Sequence, residues 1–131
     1  MIKTYGLTHI TLKVEDVKRS AGFYHKVFGA KEMYHSEGFI QIQTPGSNDI
    51  IVFEQGEKSI GESAGVIHFG FRLVRPENID DIVKIVEEAG GQINDQGEFV
   101  PGEPYVFISD PDGYQVEIWY EKLSPAHVLF N

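Results

Sequence analysis

The chain repeats one pattern of strand, helix and glycine, and this repeat constrains the fold more than any other feature. The first copy begins with a strand-like segment around His9, and its helix is followed by Gly29. The second copy begins around His68, and its helix is followed by Gly90. The histidines are 59 positions apart and the glycines 61, with two extra residues between strand and helix in the second copy. Such a repeat predicts two copies of one supersecondary unit.

Each copy is predicted to be a βαβββ module. Alternating β-branched residues predict a first strand over 7–14 and over 66–74, and helical spacing of apolar residues predicts helices over 15–28 and 79–89. The remaining predicted strands cover residues 31–35, 38–43 and 49–54 in the first copy and 92–93, 105–109 and 114–120 in the second. The expected fold is therefore α+β, with modules at about 5–55 and 65–122 of a single domain, residues 1–131.

Glycine-rich and proline-rich segments mark the connections. The polar stretch 55–65 is the predicted joint between the modules, and Asp110-Pro111-Asp112-Gly113 is a predicted hairpin turn. Residues 92–104 contain two glycines and two prolines, Gly97, Pro101, Gly102 and Pro104, and are predicted to be mostly loop. Such a loop would border a binding site or simply connect two strands at the surface.

Composition narrows the partners that the chain can have. With 131 residues, 41% hydrophobic and 24% charged, it is expected to be one soluble globular domain. A formal net charge of −9 argues against binding nucleic acid or an anionic membrane surface, because both require basic patches. The absence of cysteine excludes disulfides and thiolate zinc sites but does not identify a compartment. The sequence has no apolar run long enough to span a bilayer and no secretory signal at its start, and a cytoplasmic protein is the default expectation.

Two histidines and one glutamate are the candidate site residues. His9 and His68 occupy matching places in the two first strands, and Glu117 lies in the last predicted strand. Polar side chains on inward strand faces are costly to bury unless something binds them. Two imidazoles and a carboxylate suit a divalent metal ion such as Fe, Mn, Ni, Co or Zn, and three protein ligands leave coordination positions open. The alternative is that all three are hydrogen-bonded buried residues in a protein without metal.

The order of these segments resembles the vicinal oxygen chelate superfamily, which includes glyoxalase I, extradiol dioxygenases, fosfomycin-resistance proteins and bleomycin-resistance proteins. The resemblance extends from Leu7 to about Lys122, and the segments that carry it are Thr8–Val14, Phe23–Ala30, Ile67–Phe71 and Asp110–Glu117. It implies paired βαβββ modules whose sheets curl around a cleft, with metal ligands on the first and last strands of each module. Carried over, His9, His68 and Glu117 take three of those four ligand positions.

The fourth ligand position departs from glyoxalase I. Aligning Glu54 with Glu121 puts Ile50 opposite Glu117, and a slip of one or two residues gives Ile51 or Val52. All three are apolar and cannot bind a metal ion, and only a larger slip would bring in Glu54. The expected site is therefore more similar to the three-ligand sites of dioxygenases and fosfomycin-resistance proteins. The fosfomycin-resistance subfamily itself is disfavoured, because Ala126 stands where its arginine is expected and few cations lie near the motifs.

A tyrosine is the second catalytic candidate. Three-ligand members of the superfamily typically place a tyrosine ten residues before the glutamate, where this chain has Phe107. Tyr105, two positions earlier and on the same strand face, is the candidate substitute, with Glu117 as the other catalytic residue. Strand aromatics could also wall an apolar cleft, although such residues usually fill cores: Phe39, Phe53, Phe69, Phe71 and Phe107.

The resemblance implies a metal-dependent enzyme, a lyase or isomerase or else a dioxygenase, that acts on a small oxygen-rich molecule. Two neighbouring substrate oxygens would chelate the metal ion, which acts as a Lewis acid toward negative charge developing on the substrate. Glu117 is expected to remain a ligand rather than to serve as the base. The partners expected are this substrate and a second copy of the chain in a homodimer. The alternatives are a metal-free binder similar to bleomycin-resistance proteins and a degenerate, purely structural member.

Overall fold

The structure, a computed structural model, describes residues 1–122 and contains two βαβββ units within that range. The first comprises β1 (His9–Val14), α1 (Val17–Phe28), β2 (Lys31–Ser36), β3 (Phe39–Gln43) and β4 (Ile50–Gln55). The second comprises β5 (Phe69–Arg72), α2 (Ile79–Glu88), β6 (Gln92–Glu98), β7 (Pro104–Ser109) and β8 (Gln115–Trp119). The predicted α+β class and the repeated module are confirmed.

Two strands differ from the prediction. β5 is shorter than the predicted strand over 66–74, because its pairing with β8 begins only at Phe69 and Val116. β6 is much longer than the two residues predicted, and it extends through the polar segment that was predicted to be loop. Its pairing with β7 from Gln92 to Glu98 supplies hydrogen bonds that override the low strand propensity of these residues.

The strands form two separate four-stranded mixed sheets. Their orders are β1-β4-β3-β2 and β5-β8-β7-β6. In each sheet the first and last strands of the module are parallel neighbours, and the other neighbours are antiparallel. Within the described residues the outer edges of β1 and β5 have no strand partner, so neither sheet closes.

Helix α1 ends at the glycine predicted from sequence, whereas α2 begins after Asn78 and its C-cap is Ala89, one residue before Gly90. Asp16 accepts hydrogen bonds from the backbone N–H groups of Lys18 and Arg19 at 2.9 and 3.2 Å, which satisfies the free donors of the first turn of α1. Gly29 ends α1 with φ of 71°, a left-handed conformation that favours glycine. Within residues 1–122 neither helix is long and apolar enough to cross a membrane.

One face of each sheet packs in the core with the helices, and the other face is open. In β7 and β8, buried residues alternate with half-buried ones, and the same alternation places Leu12 and Val14 inward in β1. The core joins side chains of both modules, among them Phe23, Tyr24, Phe53, Val86, Val106 and Ile118. The open face of the second sheet carries Tyr105, Phe107, Glu117 and Trp119.

The strand register fixes which residues of the two modules are equivalent. Thr11 pairs with Val52 in the first sheet, and Gly70 pairs with Glu117 in the second. Because Thr11 and Gly70 correspond through the 59-residue repeat, Val52 is the counterpart of Glu117. Aligning Glu54 with Glu121 was therefore wrong, since the register makes Glu54 the counterpart of Trp119. The conclusion that an apolar residue holds the fourth position is unchanged, because Val52 cannot bind a metal ion.

A buried polar network joins the first module to the turn before β8. Tyr24 in α1 donates a hydrogen bond to Asp110 at 2.8 Å, and the backbone N–H groups of Asp112 and Tyr114 donate to the other oxygen of Asp110. Asp112, whose side chain is 1% exposed, accepts hydrogen bonds from Arg19 at 2.8 Å and from Ser20 at 3.1 Å. The network thus fixes the turn that leads directly into β8.

Burial makes the ionisation of Asp110 unfavourable in the folded protein. Desolvation raises the pKa of Asp110 above its ordinary value of 3.8, while hydrogen bonds from Tyr24 and from the backbone N–H groups of Tyr114 and Asp112 oppose the shift. The side chain of Tyr24 stays protonated and able to donate, because burial and the neighbouring Asp110 raise its pKa well above 10.0.

This shift predicts a pH dependence of stability. As pH rises above 3.8, Asp110 ionises first in the unfolded chain, so its contribution to folding stability falls until the higher folded-state pKa is passed. Asp110→Asn removes that titration. We therefore expect the free energy of unfolding of Asp110→Asn to increase relative to the wild type from about pH 3 upward, as measured by urea denaturation at several pH values. A difference that stays constant across this range would contradict the assignment.

Candidate functional site

His68 and Glu117 form an imidazole–carboxylate pair on the open face of the second sheet. The His68 Nε2 and Glu117 Oε1 atoms are 3.4 Å apart, and the two side chains are 36% and 14% exposed. Glu117 lies in β8, whereas His68 immediately precedes β5, the strand beside β8. The parallel pairing of these strands therefore positions the two predicted residues together.

Gly70 keeps the space over this pair open. It pairs with Glu117 in register and follows His68 on the same strand face. A Cβ atom at Gly70 would lie 3.0 Å from the Glu117 backbone oxygen and 3.3 Å from its Cβ. A side chain at position 70 would therefore crowd Glu117.

His9 occupies the equivalent position in the first sheet but lies apart from the pair. It is exposed at the start of β1, and its Nδ1 atom lies 2.6 Å from the Thr8 hydroxyl oxygen. Residues 1–122 contain no group of three or more His, Cys, Asp or Glu side chains that could hold a metal ion. One chain therefore brings His68 and Glu117 together without His9.

A cleft lies between the outer edges of the two sheets. Its volume is about 630 Å³, and its lining includes Thr11 and Lys13 of β1, Glu62 of the connecting segment, and His68. The β1 and β5 edges that border it carry no strand partner within the described residues. His68 is thus accessible from an opening large enough for a small molecule.

The neighbours of the pair include aromatic residues. Phe107 pairs with Glu117 in register, and its ring packs edge-on to the His68 ring with centroids 5.1 Å apart. Tyr105, the predicted second catalytic residue, lies one row further along the same face, opposite Trp119. Its hydroxyl donates a hydrogen bond of 3.5 Å to Asp95, so it is directed over β6 rather than toward Glu117.

The aromatics proposed from sequence to wall a cleft separate into two groups. Phe53 is fully buried, and Phe69 and Phe71 pack against the core, whereas Phe107 faces the open side. Phe99 and Trp119 were not predicted to belong to the site, although both contact the open-face aromatics. Glu117 and Trp119 are two residues apart in β8, so their side chains lie on the same face of the sheet. This alternation is the sequence signal that would have predicted Trp119 near the site.

The donor set fits a divalent cation in chemistry and in spacing. Ligand atoms that lie roughly 2.0–2.2 Å from one metal ion are usually separated by about 3–3.5 Å, and the His68–Glu117 separation of 3.4 Å falls within that interval. One imidazole nitrogen and one carboxylate oxygen are acceptable to most first-row transition metals. With two protein ligands the site is incomplete, and a further side chain is needed.

Comparison with known proteins identifies relatives of the whole chain. The profile of the Glyoxalase/Bleomycin resistance protein/Dioxygenase superfamily matches residues 6–118. A lactoylglutathione lyase of Escherichia coli is 26% identical over 126 residues, which cover 88% of this chain and 93% of that protein. A lactoylglutathione lyase of Arabidopsis thaliana is 28% identical over 122 residues, but the chain covers only 42% of its length.

Solved structures share the fold at low sequence identity. A variant of the fosfomycin resistance protein FosX from Listeria monocytogenes, solved with Mn(II) and 1S,2S-dihydroxypropylphosphonic acid, superposes with a TM-score of 0.75. The two sequences are 21% identical, and the match covers 98% of this chain and 100% of FosX. The FosX likeness concerns the fold alone.

Proposed function

The chain belongs to the glyoxalase/bleomycin resistance protein/dioxygenase superfamily, and we propose that it is a divalent-metal-dependent enzyme acting on a small oxygen-rich molecule. The observation that carries this proposal is the pairing of His68 and Glu117 at 3.4 Å on an open sheet face. The presence of Mn(II) in the FosX structure makes Mn(II) the first ion to test. Fe, Ni, Co and Zn are the other ions that suit these donors.

We propose further that His9 is supplied by a second copy of the chain. His9 and His68 are equivalent positions of the repeat, yet within one chain His9 is not grouped with the pair. A symmetric homodimer would place the first module of each copy beside the second module of the other. Its two-fold symmetry would create two equivalent sites. Each site would then contain His68 and Glu117 from one copy and His9 from its partner.

The roles of the residues follow from their positions. His68, Glu117 and the partner copy's equivalent of His9 would bind the ion and leave positions open for two neighbouring substrate oxygens. The bound ion would supply Lewis acidity toward negative charge developing on the substrate. Glu117 is proposed to remain a ligand, and the Tyr105 hydroxyl is proposed to contact the substrate rather than the ion.

The first test is the metal content of protein purified without chelators. We expect near-stoichiometric divalent metal in the wild-type protein, and restored loading with Mn(II) after chelation. A protein that takes up none of the five ions would contradict the proposal. If such a protein still bound small molecules, the metal-free, bleomycin-resistance-like alternative would be favoured instead.

The second test is subunit complementation, which distinguishes a shared site from a site within one chain. A heterodimer of His9→Ala and His68→Ala chains would contain one intact site and one site lacking both histidines, if each site is shared. We therefore expect about half of the wild-type metal content in purified heterodimers, and much less in either homodimer. If each site lies within one chain, every site in the heterodimer lacks one ligand and metal content stays as low as in the homodimers.

A further inference from the structure

The open face of the second sheet carries a cluster of aromatic side chains next to the His68–Glu117 pair, one of them exposed and three half-buried. We propose that this cluster binds an aromatic ring of the substrate, while two vicinal oxygens of the same molecule bind at the pair. The cluster, here called the aromatic shelf, consists of Phe99, Tyr105, Phe107 and Trp119. The inference rests on the proposed function, since it specifies the class of substrate for that site.

The shelf is continuous with the pair through ring contacts. The His68 and Phe107 rings are 5.1 Å apart between centroids, Phe107 and Tyr105 are 5.7 Å apart, and Tyr105 and Phe99 stack at 4.3 Å with a 17° angle. Trp119 lies edge-on to Phe99 at 6.5 Å. A molecule that binds at the pair can therefore extend over the shelf without crossing a polar gap.

Glycine at position 97 makes the position of Tyr105 possible. Gly97 pairs with Tyr105 in register, and a Cβ atom there would lie 3.0 Å from the Tyr105 hydroxyl oxygen and 3.2 Å from two ring atoms. The tyrosine ring thus lies across β6 over Gly97, and the Phe99 ring stacks on one of its faces.

These aromatics are not filling a core. They project from the face opposite the buried residues of β7 and β8, and Phe99 is 53% exposed. Phe99 is nevertheless held in place, because its backbone N–H donates a 3.1 Å hydrogen bond to the Glu103 carbonyl in the β6–β7 hairpin. One face of the Phe99 ring stacks on Tyr105, and its exposure leaves the other face for a ligand ring to stack upon.

Arg72 contacts the aromatic shelf at Trp119. Its guanidinium carbon lies 5.2 Å from the centre of the Trp119 ring, a cation–π contact, and it also pairs with Glu121 at 3.6 Å. With its charge shared between Trp119 and Glu121, Arg72 orients the indole rather than acting as a free anion site. The shelf is therefore suited to a ring that carries no charge of its own.

The experiment compares three 2-hydroxy acids with identical chelating oxygens on Mn(II)-loaded protein. Mandelate carries a phenyl ring, hexahydromandelate carries a cyclohexyl ring, and lactate carries a methyl group. We expect calorimetric Kd values at least about tenfold lower for mandelate than for lactate, with hexahydromandelate clearly weaker than mandelate. Equal affinity of mandelate and hexahydromandelate, or no preference over lactate, would overturn the proposal.

Substitution of Phe99, the exposed residue of the aromatic shelf, tests whether the mandelate ring binds there. Phe99→Leu keeps apolar volume and is expected to reduce the mandelate preference by about threefold to tenfold without changing lactate affinity. Ile85→Ala is the matched control, because Ile85 is 46% exposed on α2, the helix of the same module. An unchanged mandelate preference in Phe99→Leu, or an equal loss in both variants, would count against the shelf.

Trp119 fluorescence separates failure of the shelf from failure of the metal site. Trp119 is the single tryptophan of the chain, so its emission reports binding at the shelf directly. A protein that takes up no Mn(II) would contradict the proposed function, yet a change in emission with mandelate but not lactate would still support the shelf. Normal Mn(II) uptake with no discrimination among the three acids would overturn the shelf alone.

Discussion

His68→Ala is expected to weaken Mn(II) binding by roughly 100-fold or more, the largest functional effect that we predict. A four-ligand zinc site is worth about 10–16 kcal/mol, or roughly 2.5–4 kcal/mol per ligand, and the lower end of that range corresponds to about 100-fold weaker binding. Glu117→Gln should have a similar effect, because the amide keeps the shape of the side chain but removes the negative charge 3.4 Å from His68. Calorimetric titration of Mn(II) into chelator-treated protein measures both variants.

The first sheet supplies a matched control for this experiment. His35 and Glu32 form another imidazole–carboxylate pair, 2.9 Å apart on β2, with both side chains more than 40% exposed. His35→Ala is expected to bind Mn(II) as the wild type does, because this pair has no counterpart ligand in the repeat. Equal loss in His35→Ala and His68→Ala would show that binding is nonspecific, and the proposed site would be rejected.

Asp110→Ala is expected to destabilise the fold by about 3 kcal/mol, the largest effect on stability that we predict. The substitution leaves the buried Tyr24 hydroxyl and two backbone N–H groups without their acceptor. Each unsatisfied buried donor costs about 1–3 kcal/mol, and relaxation of the turn recovers part of the total. In a domain of this size the loss corresponds to a Tm about 10 °C lower, measurable by calorimetry.

Two variants test whether hydrogen bonding is the cause of this effect. Asp110→Asn keeps an acceptor for the backbone N–H groups and is expected to lose much less stability than Asp110→Ala at neutral pH. Asp81→Ala removes an exposed carboxylate from α2 and should change the free energy of unfolding by less than about 0.5 kcal/mol. A small effect of Asp110→Ala would mean that the network contributes little to the docking of the two modules.

Much of the fold was predictable because the repeat and the apolar periodicity are local signals. The segment from Gln92 to Glu98 was not, since its polar residues and Gly97 form a strand only through pairing with β7. The residue of the first module that corresponds to Glu117 could likewise be identified only from the strand register. The sequence alignment at the ends of β4 and β8 was wrong by two residues. Only the hydrogen-bonded pairing of the strands identifies Val52 as the counterpart of Glu117.

The candidate site was predictable in part. His68 and Glu117 were named from sequence, and the structure brings them together, but His9 remains a prediction that depends on a second copy of the chain. Phe69 was correctly included among residues that could wall a cleft, whereas Phe53 belongs to the core and Phe107 lies on the open face of β7. Exposed aromatics such as Phe99 could not be assigned, because their position follows from the β6–β7 hairpin rather than from strand alternation.

The equivalence of Val52 and Glu117 also bears on the history of the chain. After an ancestral module is duplicated, both copies must keep the backbone pattern that builds the sheets, but only one needs to keep each chemical group. Valine and glutamate codons can differ by a single base, so a carboxylate at position 52 is within easy mutational reach. Descendants of one duplicated ancestor could therefore gain or lose a fourth ligand while the strands stay in register, and new reactions could arise on an unchanged framework.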